Sequence, residues 1–198
     1  MSYILYWIVK VLGTPIFYLL FMPKYKNRKN IPKNASVVLA GNHKSNFDCA
    51  SLVCSTNRVI HFLAKKELLD TKMKWFFNGM GIIPVDRKNK NPKALEDAIG
   101  CLNQNKVIGI FPEGTTNKTD KLIMPFKYGA VKMASCTNAY IVPFSITGRY
   151  KMFGGLTITF GKPYKVSNDL EKENKILMEK VSKLLKGESS MLVLVTYD

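Results

Sequence analysis

The order of apolar and polar residues predicts an alternation of strands and helices from residue 31 onward. Short runs rich in valine, isoleucine and aromatic residues, bounded by turn-forming or charged residues, are typical of buried strands. Such runs are Val37–Ala40, Val59–Ala64, Ile82–Val85, Val107–Phe111, Tyr140–Ile146 and Leu156–Phe160. Longer stretches with apolar residues at helical spacing lie between or after them, at Lys66–Met80, Pro92–Asn105, Pro125–Cys136 and Asn168–Lys186.

Residues that favour helix starts and ends support the predicted bounds of two of these helices. Asn91 and Pro92 suit the cap and the first helical position of the second stretch, and Gly187 suits the end of the last one. Strands that alternate with helices predict an α/β fold whose central sheet is mostly parallel, or mixed at its last two strands, with flanking helices. The length of 198 residues suits one domain, which we place at residues 31–198.

The N-terminal stretch Met1–Met22 is apolar and aromatic, and a basic cluster follows it over residues 24–33. Lys10 interrupts the apolar run, and Gly13 and Pro15 follow, whereas a membrane span needs about 20 continuous apolar residues. We therefore predict two short helical pieces, broken near Pro15, that lie in or dip into a bilayer while the lysines face anionic lipid. A core helix and a true membrane span are the alternatives. Residues 1–30 form this membrane-associating segment, and the apolar run Met191–Tyr197 suits a final strand, a membrane contact or a loose tail.

The charge balance narrows the class of partner. The chain carries a formal net charge of +16, no Asp or Glu precedes Asp48, and none lies between Lys121 and Asn168. Such a basic surface implies an anionic partner, and an acidic membrane or a phosphate ligand suits it better than nucleic acid, for which no binding motif is present. The four cysteines have neither disulfide nor metal spacing and indicate reduced, small apolar side chains.

Two candidate catalytic residues, a histidine and an aspartate, follow the first predicted strand. Gly41 ends that strand, and His43 and Asp48 then lie five residues apart across a turn that leads into a helix. A carboxylate at this spacing can accept a hydrogen bond from the imidazole, which fixes the tautomer of the ring and stabilises its protonated form. The alternative is that Asp48 is an acidic residue favoured at a helix start by the helix dipole.

Other predicted strands end in polar or charged residues at what should be the same edge of the sheet. The turn Phe111-Pro112-Glu113-Gly114-Thr115 supplies a carboxylate and backbone N–H groups, or is an ordinary turn. Candidate anion-binding cations are Arg87, Lys65 and Lys127. His61 lies within a strand, which favours a buried structural histidine. No metal-ligand cluster, phosphate-binding glycine loop or serine nucleophile motif is present, and we expect no metal and no cofactor.

Taken in order, these motifs resemble the glycerolipid acyltransferase family, and most of all its bacterial 1-acylglycerol-3-phosphate acyltransferases. The matching blocks are Asn42-His43-Lys44-Ser45-Asn46-Phe47-Asp48, Gly81–Arg87, Phe111–Thr115 and Ile141–Phe144, together with Phe126-Lys127 and Gly129-Ala130. In the family the third block ends in an arginine that binds phosphate, but Thr116 stands here.

The resemblance implies that His43 is a general base, oriented by Asp48, for acyl transfer to the free hydroxyl of lysophosphatidic acid. The acyl donor would be a thioester of coenzyme A or of acyl carrier protein, and the product phosphatidic acid, a step of phospholipid synthesis at the cytoplasmic face of the cell membrane. Residues implied to bind substrate are Asn42, Ser45, Arg87, Lys65, Lys127, Glu113, Gly114 and Thr115. The alternatives are another lysophospholipid or glycerol-3-phosphate as acceptor, or a lipid-binding protein without catalysis.

Overall fold

The computed structural model describes residues 3–86 and 92–187, so Arg87, Asn91 and the apolar run Met191–Tyr197 lie outside the described residues. Its strands are β1 (Lys24–Lys26), β2 (Val37–Gly41), β3 (Ile60–Lys65), β4 (Ile83–Val85), β5 (Val107–Ile110), β6 (Tyr140–Thr147) and β7 (Thr157–Phe160). Its α-helices are α1 (Ile4–Phe21), α2 (Asp48–Val53), α3 (Lys74–Gly79), α4 (Lys93–Asn103), α5 (Gly129–Thr137) and α6 (Leu170–Leu185).

The strands form one sheet in the order β1-β7-β6-β2-β5-β3-β4. The five strands from β6 to β4 are parallel, β7 runs antiparallel to β6, and β1 is parallel to β7. The predicted α/β class is therefore confirmed, and of the two alternatives for the sheet the one mixed at the last two strands is the one observed. β2 lies in the middle of the sheet, where every one of its residues is buried.

The core has two layers because side chains alternate between the faces of β2. Val37 and Leu39 pack on the face that α1 and α2 cover, while Val38 and Ala40 pack on the face that α4, α5 and α6 cover. Gly41 ends the strand with no room for a side chain, since a Cβ there would lie 2.2 Å from the Phe144 carbonyl oxygen. This close approach lets the chain turn away from β6 directly above the sheet edge.

The prediction of two helical pieces at the N-terminus is wrong, because α1 is continuous through Pro15. Its inner face is anchored on both sides of the proline. Tyr6 and Phe17 are buried in the core, and Lys10 is buried as a residue and its ammonium donates to the Thr56 carbonyl. Packing of this kind offsets the roughly 3 kcal/mol that a proline costs inside a helix. The proposed boundary at residue 30 stays a prediction.

The predicted helix Lys66–Met80 is divided into a 3₁₀ turn at Lys66–Asp70 and α3. Thr71 lies in extended conformation between them, and its hydroxyl both donates to the Leu68 carbonyl and accepts from the Met73 N–H. Such local side-chain bonds compete with the helical backbone pattern. Two other elements differ from the prediction. α5 begins at Gly129 rather than at Pro125. β1 was not predicted because it consists of three residues within the basic cluster.

Candidate active site

The candidate site lies at the edge of the sheet where the parallel strands have their C-terminal ends. β2 and β5 are neighbours, with Ala40 paired to Ile110, so the turns that follow them lie side by side. The first turn carries His43 and the second carries Glu113. Open α/β sheets bind ligands at this edge because loops there are free to vary while the strands hold them in place.

His43 and Asp48 form the predicted hydrogen bond. The distance from Nδ1 of His43 to Oδ2 of Asp48 is 2.8 Å, and the imidazole stacks on the Phe111 ring with a centroid distance of 4.2 Å. A carboxylate accepts, so Nδ1 carries the hydrogen and the neutral ring keeps its lone pair on Nε2. The ring is therefore held by one partner at its edge and one at its face, in the tautomer that a general base requires.

Four donors surround the carboxylate of Asp48, which is fully buried at the start of α2. Oδ2 accepts from His43 and from the backbone N–H groups of Lys44 at 2.7 Å and Ser45 at 2.9 Å. Oδ1 accepts from the Tyr150 hydroxyl at 2.6 Å. Charge-assisted bonds in such number compensate for burial of a carboxylate.

Glu113 fastens the neighbouring turn to this one. Its Oε1 accepts from the His43 backbone N–H at 2.8 Å, and its Oε2 accepts from the Met124 N–H at 2.9 Å. Burial raises the pKa of Glu113, and the hydrogen bonds from the Met124 and His43 backbones oppose that shift. The carboxylate thus joins the β2 turn, the β5 turn and the loop that follows into one rigid unit.

An open cleft of about 330 Å³ lies in front of His43. Its wall is formed in part by His43, Lys44, Glu113, Asn117, Lys121 and Gly148. The loop after Gly114 crosses over the histidine, since the Asn117 N–H donates to the His43 carbonyl at 2.7 Å. His43 therefore lines a space that it shares with Glu113 and with two lysines.

Two of the predicted substrate-binding residues shape the site through bonds within the protein. The Asn42 side chain is buried and bonds both the N–H and the C=O of Ile146, which fixes the end of β2 to β6. The Ser45 hydroxyl accepts from the Phe47 N–H at 3.2 Å and so stabilises the turn that leads into α2. Contact of either residue with substrate stays a prediction.

The predicted cations lie along the same edge. Lys127 is exposed and its ammonium lies beside Gly114, where a Cβ would be 2.9 Å from Nζ, and Gly114 has φ +76°. Lys65 is exposed at the end of β3, on the far side of β5 from His43, and Thr115 is exposed in the loop. The structure does not bring Lys65 or Lys127 into the wall of the cleft. Arg87 lies outside the described residues.

His61 has the structural role that its position suggested. It is 4% exposed within β3, and its Nδ1 lies 2.9 Å from the Gly81 carbonyl oxygen. Burial lowers the pKa of His61. Residues 3–86 and 92–187 contain no group of three or more His, Cys, Asp or Glu side chains placed to hold a metal ion.

Sequence reasoning missed Tyr150, Lys121 and Asn117. Tyr150 follows β6 and lies 102 residues from Asp48 in the chain, so no local pattern connects the two. Lys121 and Asn117 belong to the loop between β5 and α5, whose course across the cleft is set by contacts with His43 and Glu113. The one available signal for Tyr150 was its position just after a strand at the functional edge.

Known proteins share both the sequence blocks and the fold. A family model described as acyltransferase matches residues 23–147. A Bacillus subtilis protein named 1-acyl-sn-glycerol-3-phosphate acyltransferase is 35% identical over 129 residues, which are 63% of this chain and 62% of that one. A protein of the same name from Borreliella burgdorferi is 33% identical over 131 residues, 63% of this chain and 51% of that one.

A crystal structure of the 1-acyl-sn-glycerophosphate acyltransferase PlsC from Thermotoga maritima has a TM-score of 0.76. It is 22% identical, and the match covers 91% of this chain and 78% of that one, so it supports the fold. The chain spans about three fifths and half of the lengths of the two curated relatives. The family match includes β2 to β6 with His43, Asp48 and Glu113, and the chain therefore belongs to the acyltransferase family.

Proposed function

We propose that this protein transfers a fatty acyl group from a thioester to the free hydroxyl of lysophosphatidic acid. The observation that carries the proposal is the His43–Asp48 pair, which leaves one imidazole nitrogen free to accept a proton on a residue that lines an open cleft. The names of the two curated relatives support the acceptor, and membership of the family supports the reaction type. The donor would be acyl-coenzyme A or acyl carrier protein.

In the proposed mechanism, Nε2 of His43 takes the proton of the acceptor hydroxyl as its oxygen attacks the thioester carbonyl. Asp48 stabilises the imidazolium that forms. The tetrahedral intermediate then collapses, its C–S bond breaks, and the imidazolium returns the proton to the leaving thiolate. The products are an ester and a free thiol, and no acyl-enzyme is needed.

The basic wall of the cleft would hold the acceptor phosphate. Thr116 stands where the family has an arginine, and Lys44 and Lys121 line the cleft beside His43. The Lys44 ammonium donates to the Gly148 carbonyl, which keeps it at the rim, and Lys121 is exposed. A lysine binds phosphate as a point charge, whereas an arginine can donate two parallel hydrogen bonds to it. Two lysines can therefore supply the positive charge of the missing arginine but not its bidentate hydrogen bonding.

Lys121→Ala tests this assignment. We expect the KM for lysophosphatidic acid to rise about tenfold while kcat stays within about twofold, as for loss of one exposed phosphate contact. Lys118→Ala is the matched control because Lys118 is exposed on the same loop and is not in the wall of the cleft. An equal rise in both variants would show a general charge effect and remove Lys121 from the phosphate site.

The surface of α1 supports a membrane-associated enzyme. Among the described residues, α1 is the one helix long and apolar enough to cross a membrane. Its inner face is packed on the protein, whereas the outer face exposes Val11, Leu12 and Leu19 by 64% to 70%. A helix with one face packed on the protein and the opposite face apolar and exposed suits a position in the membrane–water interface. The exposed Lys24, Lys26 and Lys29 follow this helix directly and can face anionic lipid. Attachment at the cytoplasmic face stays a prediction.

Substitution of the outer face tests the membrane proposal. Leu12→Gln with Leu19→Gln should weaken binding to anionic vesicles, measured by sedimentation, by about 30-fold or more, because each exposed leucine contributes about 1 kcal/mol or more on burial in lipid. The folded protein should keep its thermal midpoint, since both side chains face outward. Unchanged vesicle binding would contradict the assignment of this face.

The central experiment is an acyl-transfer assay on vesicles with a panel of acceptors. With lysophosphatidic acid we expect turnover by the wild type and a loss of about 10²- to 10⁴-fold in His43→Ala. Binding to vesicles without turnover on any acceptor would favour a lipid-binding protein instead.

Glycerol-3-phosphate carries the same free phosphate as lysophosphatidic acid, so the acceptor panel separates those two. Thr116 favours a second candidate, acylation of another lysophospholipid, whose phosphate is esterified to a headgroup. Thr116→Arg separates the two. If the lysines already serve lysophosphatidic acid, the variant should change its KM by less than about threefold, and if the natural acceptor lacks that phosphate group, the variant should shift preference toward lysophosphatidic acid.

A further inference from the structure

The two oxygens of Asp48 are held in different ways. Oδ2 accepts from His43, Lys44 and Ser45, which all belong to the same turn. Among the hydrogen bonds of the described residues, the one donated to Oδ1 comes from Tyr150, at 2.6 Å. The orientation of the carboxylate therefore depends on a residue from the segment between β6 and β7, which lies beyond the stretch that the family model matches.

The direction of each hydrogen bond around Tyr150 follows from its single hydroxyl hydrogen. That hydrogen goes to the carboxylate, which can only accept. The Ser51 hydroxyl lies 2.8 Å from the same phenol oxygen and 3.4 Å from the Phe47 carbonyl, so its hydrogen goes to Tyr150, the nearer acceptor. Burial raises the pKa of Tyr150, and the nearby charge of Asp48 raises it further, so the phenol stays a donor. The result is a series of two hydrogen bonds, in which Ser51 donates to Tyr150 and Tyr150 donates to Asp48.

The ring of Tyr150 is fixed by aromatic neighbours. Its centroid lies 5.4 Å from that of Phe21, 5.7 Å from that of Phe47 and 6.4 Å from that of Phe17. Phe17 and Phe21 belong to α1, and Phe47 directly precedes Asp48. Because three rings from two parts of the chain contact this phenol, its hydroxyl can hold the carboxylate without a large loss of side-chain freedom.

We propose that Tyr150 is a positioning residue that orients the Asp48 carboxylate and sets the proton affinity of His43. Its hydrogen bond withdraws charge from Oδ1. Without it, a buried oxygen loses its donor and more negative charge acts on the imidazole, so the ring holds its proton more strongly. The consequence for acyl transfer rests on the proposed function, whereas the consequence for the titration of His43 does not.

Tyr150→Phe tests the proposal with two independent measurements. The chain has two histidines, so NMR can follow the titration of His43 with His61 as an internal reference. We expect the midpoint of His43 to rise by about 0.5 to 1 pH unit and that of His61 to stay unchanged. In the acyl-transfer assay we expect kcat to fall about tenfold near neutral pH while KM stays within about twofold.

Tyr25→Phe is the matched control. The Tyr25 phenol is also largely buried and also donates to α2, to the Ser51 carbonyl at 2.9 Å, but it does not contact Asp48. It should lower thermal stability and leave both the His43 midpoint and kcat as in the wild type. A similar shift of His43 in both variants would overturn the proposal, because it would show a general effect of loosened packing around α2.

The remaining outcomes also decide the question. An unchanged His43 midpoint in folded Tyr150→Phe overturns the positioning role. A shifted midpoint in a protein that transfers no acyl group keeps the role and contradicts the proposed function instead. If Tyr150→Phe does not fold, Ser51→Ala replaces it, since loss of the Ser51 donor weakens Tyr150 indirectly. The His43 midpoint should then rise by about half as much, and no rise in that variant overturns the proposal.

Discussion

Replacement of Asp48 by asparagine separates the charge of the carboxylate from its geometry. An amide has the same shape but presents one acceptor and one donor group. Oδ2 faces three donors, so the amide oxygen must take that position and the NH₂ group must take the position of Oδ1. Tyr150 can then rotate its hydroxyl to accept from the NH₂ group and donate to Ser51. His43 therefore keeps its orientation and its tautomer.

The expected loss of rate follows from the charge alone. Unit charges about 4 Å apart, as in a hydrogen-bonded imidazolium–carboxylate pair, interact by about 4 kcal/mol at an effective dielectric constant of 20. A proton transfer that is about half complete in the transition state uses about half of this energy. Loss of that half, about 2 kcal/mol, corresponds to a decrease of about 30-fold in kcat.

Asp48→Ala should behave differently because it removes the shape as well. It leaves the Lys44 and Ser45 N–H groups without their acceptor and releases the His43 ring. We expect its activity to approach that of His43→Ala, with a clear loss of stability, whereas Asp48→Asn should stay folded.

The assay is acyl transfer from a labelled thioester to lysophosphatidic acid on vesicles, with thermal unfolding of each variant measured in parallel. The order of kcat should be wild type, then Asp48→Asn, then Asp48→Ala together with His43→Ala. Wild-type activity in Asp48→Asn would refute a role for the charge. Activity as low as in His43→Ala, in a folded Asp48→Asn protein, would refute the retained geometry.

Two further predictions concern stability. Gly41→Ala places a Cβ 2.2 Å from the Phe144 carbonyl oxygen, so we expect denaturant unfolding to show a loss of about 3 kcal/mol, and an unchanged midpoint would contradict the close approach. Burial lowers the pKa of His61 in the folded state, so the unfolded chain binds the extra proton first as pH falls below about 6.5. The wild type should therefore lose stability between pH 7 and pH 5, by up to about 1.4 kcal/mol per pH unit from this group, and His61→Leu should remove that slope. Parallel stability–pH curves for the two proteins would exclude His61 as the cause.

Much of the central sheet could be predicted because its strands are buried on both faces. A run such as Val37–Ala40 has no polar face, and its composition and length already indicate a central strand. The edge strand β1 has no comparable signal, since Tyr25 is flanked by two exposed lysines. α1 is the opposite case. Pro15 and Lys10 indicated an interruption, but contacts with residues 40 and 46 positions away keep the helix whole.

The sequence by itself determined the α/β class, the turn that carries His43 and Asp48, and the Pro-Glu-Gly turn after the neighbouring strand. These features depend on residues close together in the chain, where hydrophobic periodicity and turn chemistry act directly. Only the tertiary structure decided that Glu113 binds the backbone of His43 and that Lys121 lines the cleft. It also decided that Tyr150 completes the bonding of Asp48. Those contacts arise from strand order and loop packing, which bring together residues that no local pattern connects.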